Sequence, residues 1–391
     1  MGRRSCRVIA YASIVVVFSG CSSLNVASLN PLNWFSEDKR PKMAVLPEYK
    51  SSASLAVVWQ SAIGSAGAAT FSPAVTDDSV VVAAADGTVA RLDQATGVQR
   101  WRTKLKERLS GGVGASSTLV VVGTQEGVVI ALDADTGAER WKARVSSEVL
   151  SSPVISGDQV FVRSSDARIF SFDTRDGKRR WVYQRSMPAL SVRTTAGVVV
   201  QTAFLYAGFP GGKLVSVATN NGGNRWEATV SLPKGATELE RVTDVVGLPW
   251  IGEREICSVA YQGRVACFEL ANGTQLWSRD LSSISGLGVD ARYVYVADDR
   301  GAVHALDRTS GTSVWKQDRL FLRQLTAPTP LGALIVAGDV QGVVHAFSRE
   351  SGSIIGRLST DGSPIVAAPV VSKGGFVIQT RNGAVYMLVA Q

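Results

Sequence analysis

The chain has 391 residues, of which 45% are hydrophobic and 19% are charged, and its 38 glycines show no three-residue period. This composition excludes a disordered chain and a collagen-like one, so a large hydrophobic core is expected. The formal charge is +8, and three of those charges are arginines in the first 20 residues, which leaves 8 − 3 = +5 for the rest. Basic and acidic residues are interspersed there, so no nucleic-acid binding is predicted.

The N-terminus has the pattern of a bacterial secretion signal. Three arginines precede an apolar run at 8–18 that is too short to span a bilayer. The run ends at Phe18-Ser19-Gly20-Cys21, which resembles the lipobox of bacterial lipoproteins. The resemblance implies that residues 1–20 are removed and that Cys21 is lipidated. Because Ser22 stands where an aspartate would favour the inner membrane, it also implies an outer-membrane location.

Residues 21–50 have neither helical nor strand periodicity and are rich in Ser, Asn, Pro and charge. We interpret them as a linker between the lipidated cysteine and a folded domain. Such a linker would hold the domain near the membrane surface without spanning it. The domain is predicted to occupy residues 51–391.

A repeated sequence frame fills this domain. Its turn glycines, one of them replaced by Ala167, lie at 87, 127, 167, 212, 263, 301, 342 and 383, so the copies are about 40 residues apart. A copy contains a Pro-marked entering strand, two β-branched runs joined by a turn, and an Asp-x-x-Thr-Gly turn before a strand with Trp. The predicted fold class is therefore all-β, an eight-bladed β-propeller of four-stranded antiparallel blades.

The ends of the repeat predict how the ring closes. The eighth copy ends at Gln391 before it can supply a Trp strand, whereas 56–59 at the start of the domain has that sequence without a preceding hairpin. A propeller needs its last blade completed to remove exposed sheet edges. We therefore expect the N-terminal strand to close the ring beside the C-terminal strands.

The frame at 131–141, Ala-x-Asp-x-x-Thr-Gly-x-x-x-Trp, resembles the tryptophan-docking motif of quinoprotein-type propellers. Among proteins with this motif, the chain resembles the BamB family, a lipoprotein subunit of the bacterial outer-membrane β-barrel assembly machinery, in size, signal and blade number. The resemblance implies a non-catalytic scaffold on the periplasmic face of the outer membrane. Its expected partners are the POTRA domains of the barrel protein BamA and unfolded outer-membrane protein precursors.

Two segments resemble the BamB loops that contact BamA. Leu190-Ser191-Val192-Arg193 and 241–245 both connect the outer strand of one blade to the inner strand of the next, so they should be neighbours on one face. The resemblance implies that Leu190, Val192, Arg193 and Asp244 bind the partner. Val192 replaces the family's second leucine, and Val246 stands where a second acid is usual.

Alternatives to this interpretation of the loops remain open. Residues 242–246 could simply be a strand, and Leu190 could belong to the core. The segment 320–323, Leu-Phe-Leu-Arg, has similar chemistry and could extend the contact surface. The longest insertion, 231–255, is expected on the same face.

The few cysteines and histidines predict no catalytic, metal or cofactor site. His304 and His345 share one repeat position on the core side of a strand, and two histidines are too few for a catalytic zinc. If Gln262-Gly263 is a two-residue turn, Cys257 and Cys267 point to opposite sheet faces, so no disulfide is predicted.

Two other functions remain possible from the sequence. One is a periplasmic quinoprotein oxidoreductase, although the chain has no adjacent cysteines and is short for that family. The other is a lipoprotein that binds peptidoglycan or polysaccharide through the central channel.

Overall fold

The computed structural model describes residues 41–391. The predicted signal segment 1–20, the predicted lipidation site Cys21 and most of the predicted linker therefore lie outside the described residues. The described residues contain 32 strands in eight antiparallel sheets of four. None of them forms a helix that could serve as a membrane span.

Each of the first seven blades consists of four consecutive strands, ordered from the hub of the ring outward. Blade 1 comprises β2 (Ala74–Val75), β3 (Ser79–Ala83), β4 (Thr88–Asp93) and β5 (Gln99–Lys104), and blade 2 comprises β6 (Leu109–Ala115), β7 (Leu119–Thr124), β8 (Val128–Asp133) and β9 (Glu139–Arg144). Blade 3 comprises β10 (Val154–Ser156), β11 (Gln159–Ser164), β12 (Arg168–Asp173) and β13 (Arg179–Gln184), and blade 4 comprises β14 (Val198–Gln201), β15 (Phe204–Phe209), β16 (Lys213–Ala218) and β17 (Asn224–Thr229). Blade 5 comprises β18 (Asp244–Ile251), β19 (Glu255–Tyr261), β20 (Arg264–Glu269) and β21 (Gln275–Asp280). Blade 6 comprises β22 (Leu287–Val289), β23 (Tyr293–Ala297), β24 (Val303–Asp307) and β25 (Ser313–Gln317). Blade 7 comprises β26 (Thr329–Leu331), β27 (Leu334–Gly338), β28 (Val343–Ser348) and β29 (Ile354–Ser359).

The eighth blade closes the ring in the predicted way. It comprises β30 (Val370–Ser372), β31 (Gly375–Gln379), β32 (Ala384–Ala390) and, as its outer strand, the N-terminal β1 (Leu55–Ala62). The two chain ends pair antiparallel from Leu55 opposite Ala390 to Ala62 opposite Ala384. The innermost strands of successive blades also contact one another around the whole circle, including β30 with β2. The prediction of an eight-bladed propeller is confirmed.

Tryptophans join neighbouring blades. Trp101 is buried, and its Nε1 donates a hydrogen bond of 2.7 Å to the carbonyl of Ala134 in the next blade. A Cβ on Gly137 would lie 2.7 Å from Cε3 of the Trp101 ring, and Gly137 has a φ of +71°. A glycine is needed there both for the left-handed backbone and for the close approach of the indole. The same indole-to-carbonyl bond recurs at six other junctions, from Trp59, Trp141, Trp181, Trp226, Trp277 and Trp315.

The prediction that Cys257 and Cys267 remain unpaired is wrong. The two residues lie directly opposite each other in β19 and β20, with Cα atoms 4.1 Å apart, and form a disulfide. Val259 is the last residue of β19 to pair, with Val265, so the connection is centred on Gln262, which has a φ of +47°. The turn therefore contains an odd number of residues. The two-residue turn assumed from sequence shifts the register by one and sends the thiols to opposite faces.

The antiparallel strand order fixes two faces of the ring. The connections from the outer strand of one blade to the innermost strand of the next blade lie on one side of the ring. The turns between the second and third strands of each blade lie on the same side. We call this side the loop face. The opposite face carries the Asp-x-x-Thr-Gly turns, in which Asp93, for example, accepts hydrogen bonds from the backbone N–H groups of Ala95 and Thr96.

The described end of the predicted linker lies against blade 7. The N–H of Ala44 donates to the carbonyl of Phe321, and the N–H of Ala53 donates to that of Ile355. Residues 44–53 thus run along the outer edge of blade 7, and residue 44 lies at the loop face.

Candidate protein-binding surface

The longest connections on the loop face lie in consecutive blades. They are 185–197 between β13 and β14 and 230–243 between β17 and β18, and the short connection 281–286 between β21 and β22 follows them. The predicted insertion 231–255 is divided, because Asp244–Ile251 is the innermost strand of blade 5. The alternative that 242–246 is strand therefore holds from Asp244 onward.

These three connections carry an exposed apolar patch. Every large hydrophobic side chain that the described part of the chain exposes on an outer-to-inner connection belongs to one of them. The set, which we call the apolar loop patch, is Met187, Leu190, Leu232, Leu239 and Ile284. Leu190 is 42% exposed and Leu239 is 72% exposed, so the alternative that Leu190 belongs to the core does not hold. A group of exposed apolar side chains on consecutive loops is typical of a protein-binding surface.

Asp244, which was expected to contact a partner, is only 1% exposed. Its carboxylate accepts hydrogen bonds from the backbone N–H of Val192 at 2.5 Å and from that of Gly211 at 3.1 Å. Burial raises the pKa of Asp244, and these two hydrogen bonds oppose that effect. Asp244 therefore positions the segment 190–193 from below, across 52 residues of sequence, and is not accessible for direct contact.

The other predicted contact residues lie at or near the surface. The side chain of Arg193 is 57% exposed and makes a two-pronged contact with Glu148, with Nε 3.1 Å from Oε1 and Nη2 2.5 Å from Oε2. Val192 is partly buried. The structure thus brings together Leu190, Arg193 and Asp244 in one part of the loop face, with Asp244 beneath the other two.

The segment 320–323 does not extend the patch. Leu320 is fully buried, and Arg323 is 1% exposed. Arg323 donates to Asp339 at 2.6 Å and to the carbonyl of Ala44 at 3.1 Å. Arg357 and Arg319 likewise donate to the carbonyls of Pro47 and Glu48, so these arginines hold the end of the linker.

The two histidines are each paired with an aspartate of the preceding turn. Nε2 of His345 lies 2.9 Å from Oδ2 of Asp339, and Nε2 of His304 lies 2.9 Å from Oδ2 of Asp298. Burial lowers the pKa of the His345 imidazole. Burial alone would raise the pKa of Asp339, but hydrogen bonds led by those from His345 and from the backbone of Val343 lower it overall. Within residues 41–391, no three His, Cys, Asp or Glu side chains are grouped as metal ligands.

The hub of the ring encloses an apolar channel. Its lining comes from all eight blades and includes Pro73, Val113, Pro153, Leu248 and Val370. Among the described residues, no charged side chain lines it. A quinone cofactor with carboxylate groups, and the calcium ion that accompanies it in the quinoprotein dehydrogenases, would find neither cations nor carboxylates there. The residues present do not fit such a cofactor.

Comparison with known proteins identifies the family. A family model described as "Outer membrane protein assembly factor BamB" matches residues 51–104 and 85–317. The chain belongs to the BamB family. A BamB protein of Bordetella pertussis is 40% identical over 376 residues, covering 96% of both chains. BamB of Burkholderia pseudomallei is 38% identical with 98% of both chains covered, and that of Pseudomonas aeruginosa is 41% identical with 96% covered.

Solved structures agree with this assignment. The crystal structure of BamB from Moraxella catarrhalis is similar with a TM-score of 0.80 and 29% identity, over 86% of this chain and 99% of that one. A quinohemoprotein alcohol dehydrogenase from Comamonas testosteroni has a TM-score of 0.66 at 14% identity, over 86% of this chain and 76% of the enzyme. The second likeness concerns the propeller fold alone.

Proposed function

We propose that this BamB-family protein is a non-catalytic scaffold of the outer-membrane β-barrel assembly machinery, held at the periplasmic face by lipid on Cys21. In this proposal its loop face binds the POTRA region of BamA and thereby aids insertion of β-barrel proteins. Unfolded precursors of those proteins are a second proposed partner. The names of the relatives support the assembly role.

The observation that carries the proposal is the apolar loop patch beside Arg193. Its side chains are exposed although the ring has a full core, so burial among residues 41–391 does not explain them. Exposed apolar side chains on neighbouring connections mark a protein-binding surface, and arginine is a residue type enriched at such surfaces. The loop 185–197 is also held in place, because Asp244 binds the backbone of Val192 and Glu148 binds Arg193. A loop fixed in this way loses little conformational entropy on binding.

The proposal is tested by replacing exposed patch residues whose side chains contribute little to folding. We expect Leu190→Asp and Leu239→Asp each to weaken binding of the purified protein to the POTRA region of BamA by about thirtyfold, the cost of losing a strong interface contact. The matched control is Val98→Asp, at a side chain 64% exposed on the opposite face, which should bind normally. Undiminished binding by both folded patch variants would contradict the proposed surface.

A further inference from the structure

A small pocket lies beneath the segment 190–193 on the loop face. Its volume is about 280 Å³, and its lining includes Arg163, Glu148, Arg193, Ser165 and Pro210. Arg163 comes from β11 of blade 3, and Arg193 comes from the connection that covers the pocket. Two arginines from different elements therefore border one small cavity next to the apolar loop patch.

Arg163 departs from the internal repeat. It stands four positions before the anchor residue of its copy, on the second strand of the blade. The other seven blades have uncharged residues at this position, and six of these are small: Ala83, Gly123, Gly208, Val259, Ala297, Gly338 and Gln379. Formation of a blade thus does not require an arginine here. The side chain needs another explanation.

The guanidinium of Arg163 is buried without a carboxylate partner. The residue is 9% exposed, and Nη1 is enclosed with no hydrogen-bond acceptor among the described residues. The guanidinium stacks on the ring of Phe209, whose centroid lies 4.7 Å from Cζ. Burial lowers the pKa of Arg163 to about 10, and attraction to Asp244 opposes that effect. The cation is therefore poorly compensated where it lies.

The nearby carboxylates are already engaged. Both oxygens of Asp244 accept backbone N–H groups, from Val192 and Gly211, and Glu148 binds Arg193 at the pocket mouth. A buried cation that lacks an acceptor is unfavourable, and an acceptor that reaches it gains a charge-assisted hydrogen bond. The flat guanidinium fork matches a carboxylate in shape. Because Glu148 and Asp244 are close, a singly charged carboxylate suits the site better than a doubly charged anion.

We propose that Arg163 and Arg193 form a carboxylate-binding pocket, which receives an acidic side chain of the protein that docks on the apolar loop patch. The ligand group is a carboxylate, and a small free carboxylate uses the same site. The identity of the protein that supplies the side chain rests on the function proposed above, whereas binding of a free carboxylate does not. This separation allows the two ideas to fail independently.

The pocket is tested first with acetate as the probe. Acetate replaces chloride at constant ionic strength while the Nε–Hε signals of ¹⁵N-labelled arginines are followed by NMR. We expect a saturable shift of the Arg163 signal, which is assigned by its loss in Arg163→Lys. The control is Arg225, an exposed arginine that likewise stacks on an aromatic ring, with Cζ 4.0 Å from the Phe204 centroid. Its signal should not show a saturable shift. Absence of a saturable shift at Arg163 would overturn the pocket.

Arg163→Met provides the second test. This variant should fold, because replacing a buried unpaired charge by an apolar side chain of similar length is usually neutral or stabilising. Acetate should raise the melting temperature of the wild-type protein relative to chloride, by mass action, and should have no such effect on Arg163→Met. An equal rise in both proteins would contradict binding at Arg163.

The third measurement concerns the docked protein. If the wild-type chain binds the POTRA region of BamA, Arg163→Met should bind it about tenfold or more weakly, as expected for loss of a hydrogen bond between charged groups, and Arg225→Met should bind it normally. Equal binding by Arg163→Met would refute entry of an acidic side chain. If the wild-type chain itself does not bind, the proposed partner is wrong, while the acetate result still decides whether the pocket binds carboxylates.

Discussion

Replacement of Asp244 by asparagine should loosen the loop that presents Leu190 and Arg193. The carboxylate of Asp244 accepts N–H groups from Val192 and Gly211, and an asparagine can offer its single carbonyl oxygen to only one of them. A hydrogen bond to a charged group is worth about 1.5–3 kcal/mol. Because the burial that raises the pKa of Asp244 also makes its charge costly, the net loss should be smaller, about 1–2 kcal/mol.

The loss is measured as amide hydrogen exchange. A change of 1–2 kcal/mol alters an opening equilibrium by a factor of about 5–30, so the N–H of Val192 should exchange faster by that factor. The control is Asp93→Asn, which removes a carboxylate that also accepts two backbone N–H groups but lies on the opposite face. Exchange at Val192 should be unaffected there. If Asp244→Asn folds and Val192 still exchanges at the wild-type rate, Asp244 does not position the loop.

Three further predictions concern the ring itself. Gly177→Ala should lower the free energy of unfolding by about 1–3 kcal/mol more than Gly157→Ala, as measured by urea denaturation. Both glycines have a positive φ, but only at Gly177 would the new Cβ lie 2.6 Å from a tryptophan ring, whereas it meets nothing within 4 Å at Gly157. The double variant Cys257→Ala/Cys267→Ala should be less stable by about 2–3 kcal/mol, because its unfolded chain gains the conformational freedom that the disulfide-closed loop removes. Thiol titration of the unfolded wild-type protein should find neither cysteine free. Below about pH 6.5 the unfolded chain takes up a proton at His345, whereas burial disfavours that proton in the folded chain. The free energy of unfolding should therefore fall by up to about 1.4 kcal/mol per pH unit as the pH decreases. This contribution should be absent in His345→Gln.

The fold could be predicted from sequence because its determinants are local and repeated. Most copies contain a turn glycine and, four residues after the glycine of the next turn, a tryptophan that docks on the following blade, as Trp101 does at Gly137. The register of the turns was not predictable in the same way. Gln262 adopts a positive φ without being glycine, and nothing in its sequence context announces this. One residue of register separates a predicted pair of free thiols from the observed disulfide.

The site was predicted less completely than the fold. Leu190 and Arg193 were predicted because their segment resembles a BamB loop and lies on a connection whose length departs from the repeat. The burial of Asp244 depends on a loop that folds back over it from 52 residues earlier, which no local pattern encodes. Arg163 had a usable signal, since it is the one charged residue at its repeat position, but the position becomes informative only when the copies are aligned and compared.

The location of the candidate site follows from how a closed propeller tolerates change. Neighbouring blades are joined by indole-to-carbonyl bonds and by contacts between innermost strands, and the outer-to-inner connections lie outside those contacts. A connection such as 185–197 can therefore lengthen and expose Leu190 without a cost to the sheets, whereas a residue within a strand, such as Arg163, must be accommodated by the neighbouring blade. This difference explains why the residues of the apolar loop patch lie on connections, while the buried cation Arg163 lies on a strand. It also makes Arg163 the more restrictive part of the surface, because this residue belongs to a strand of the rigid ring.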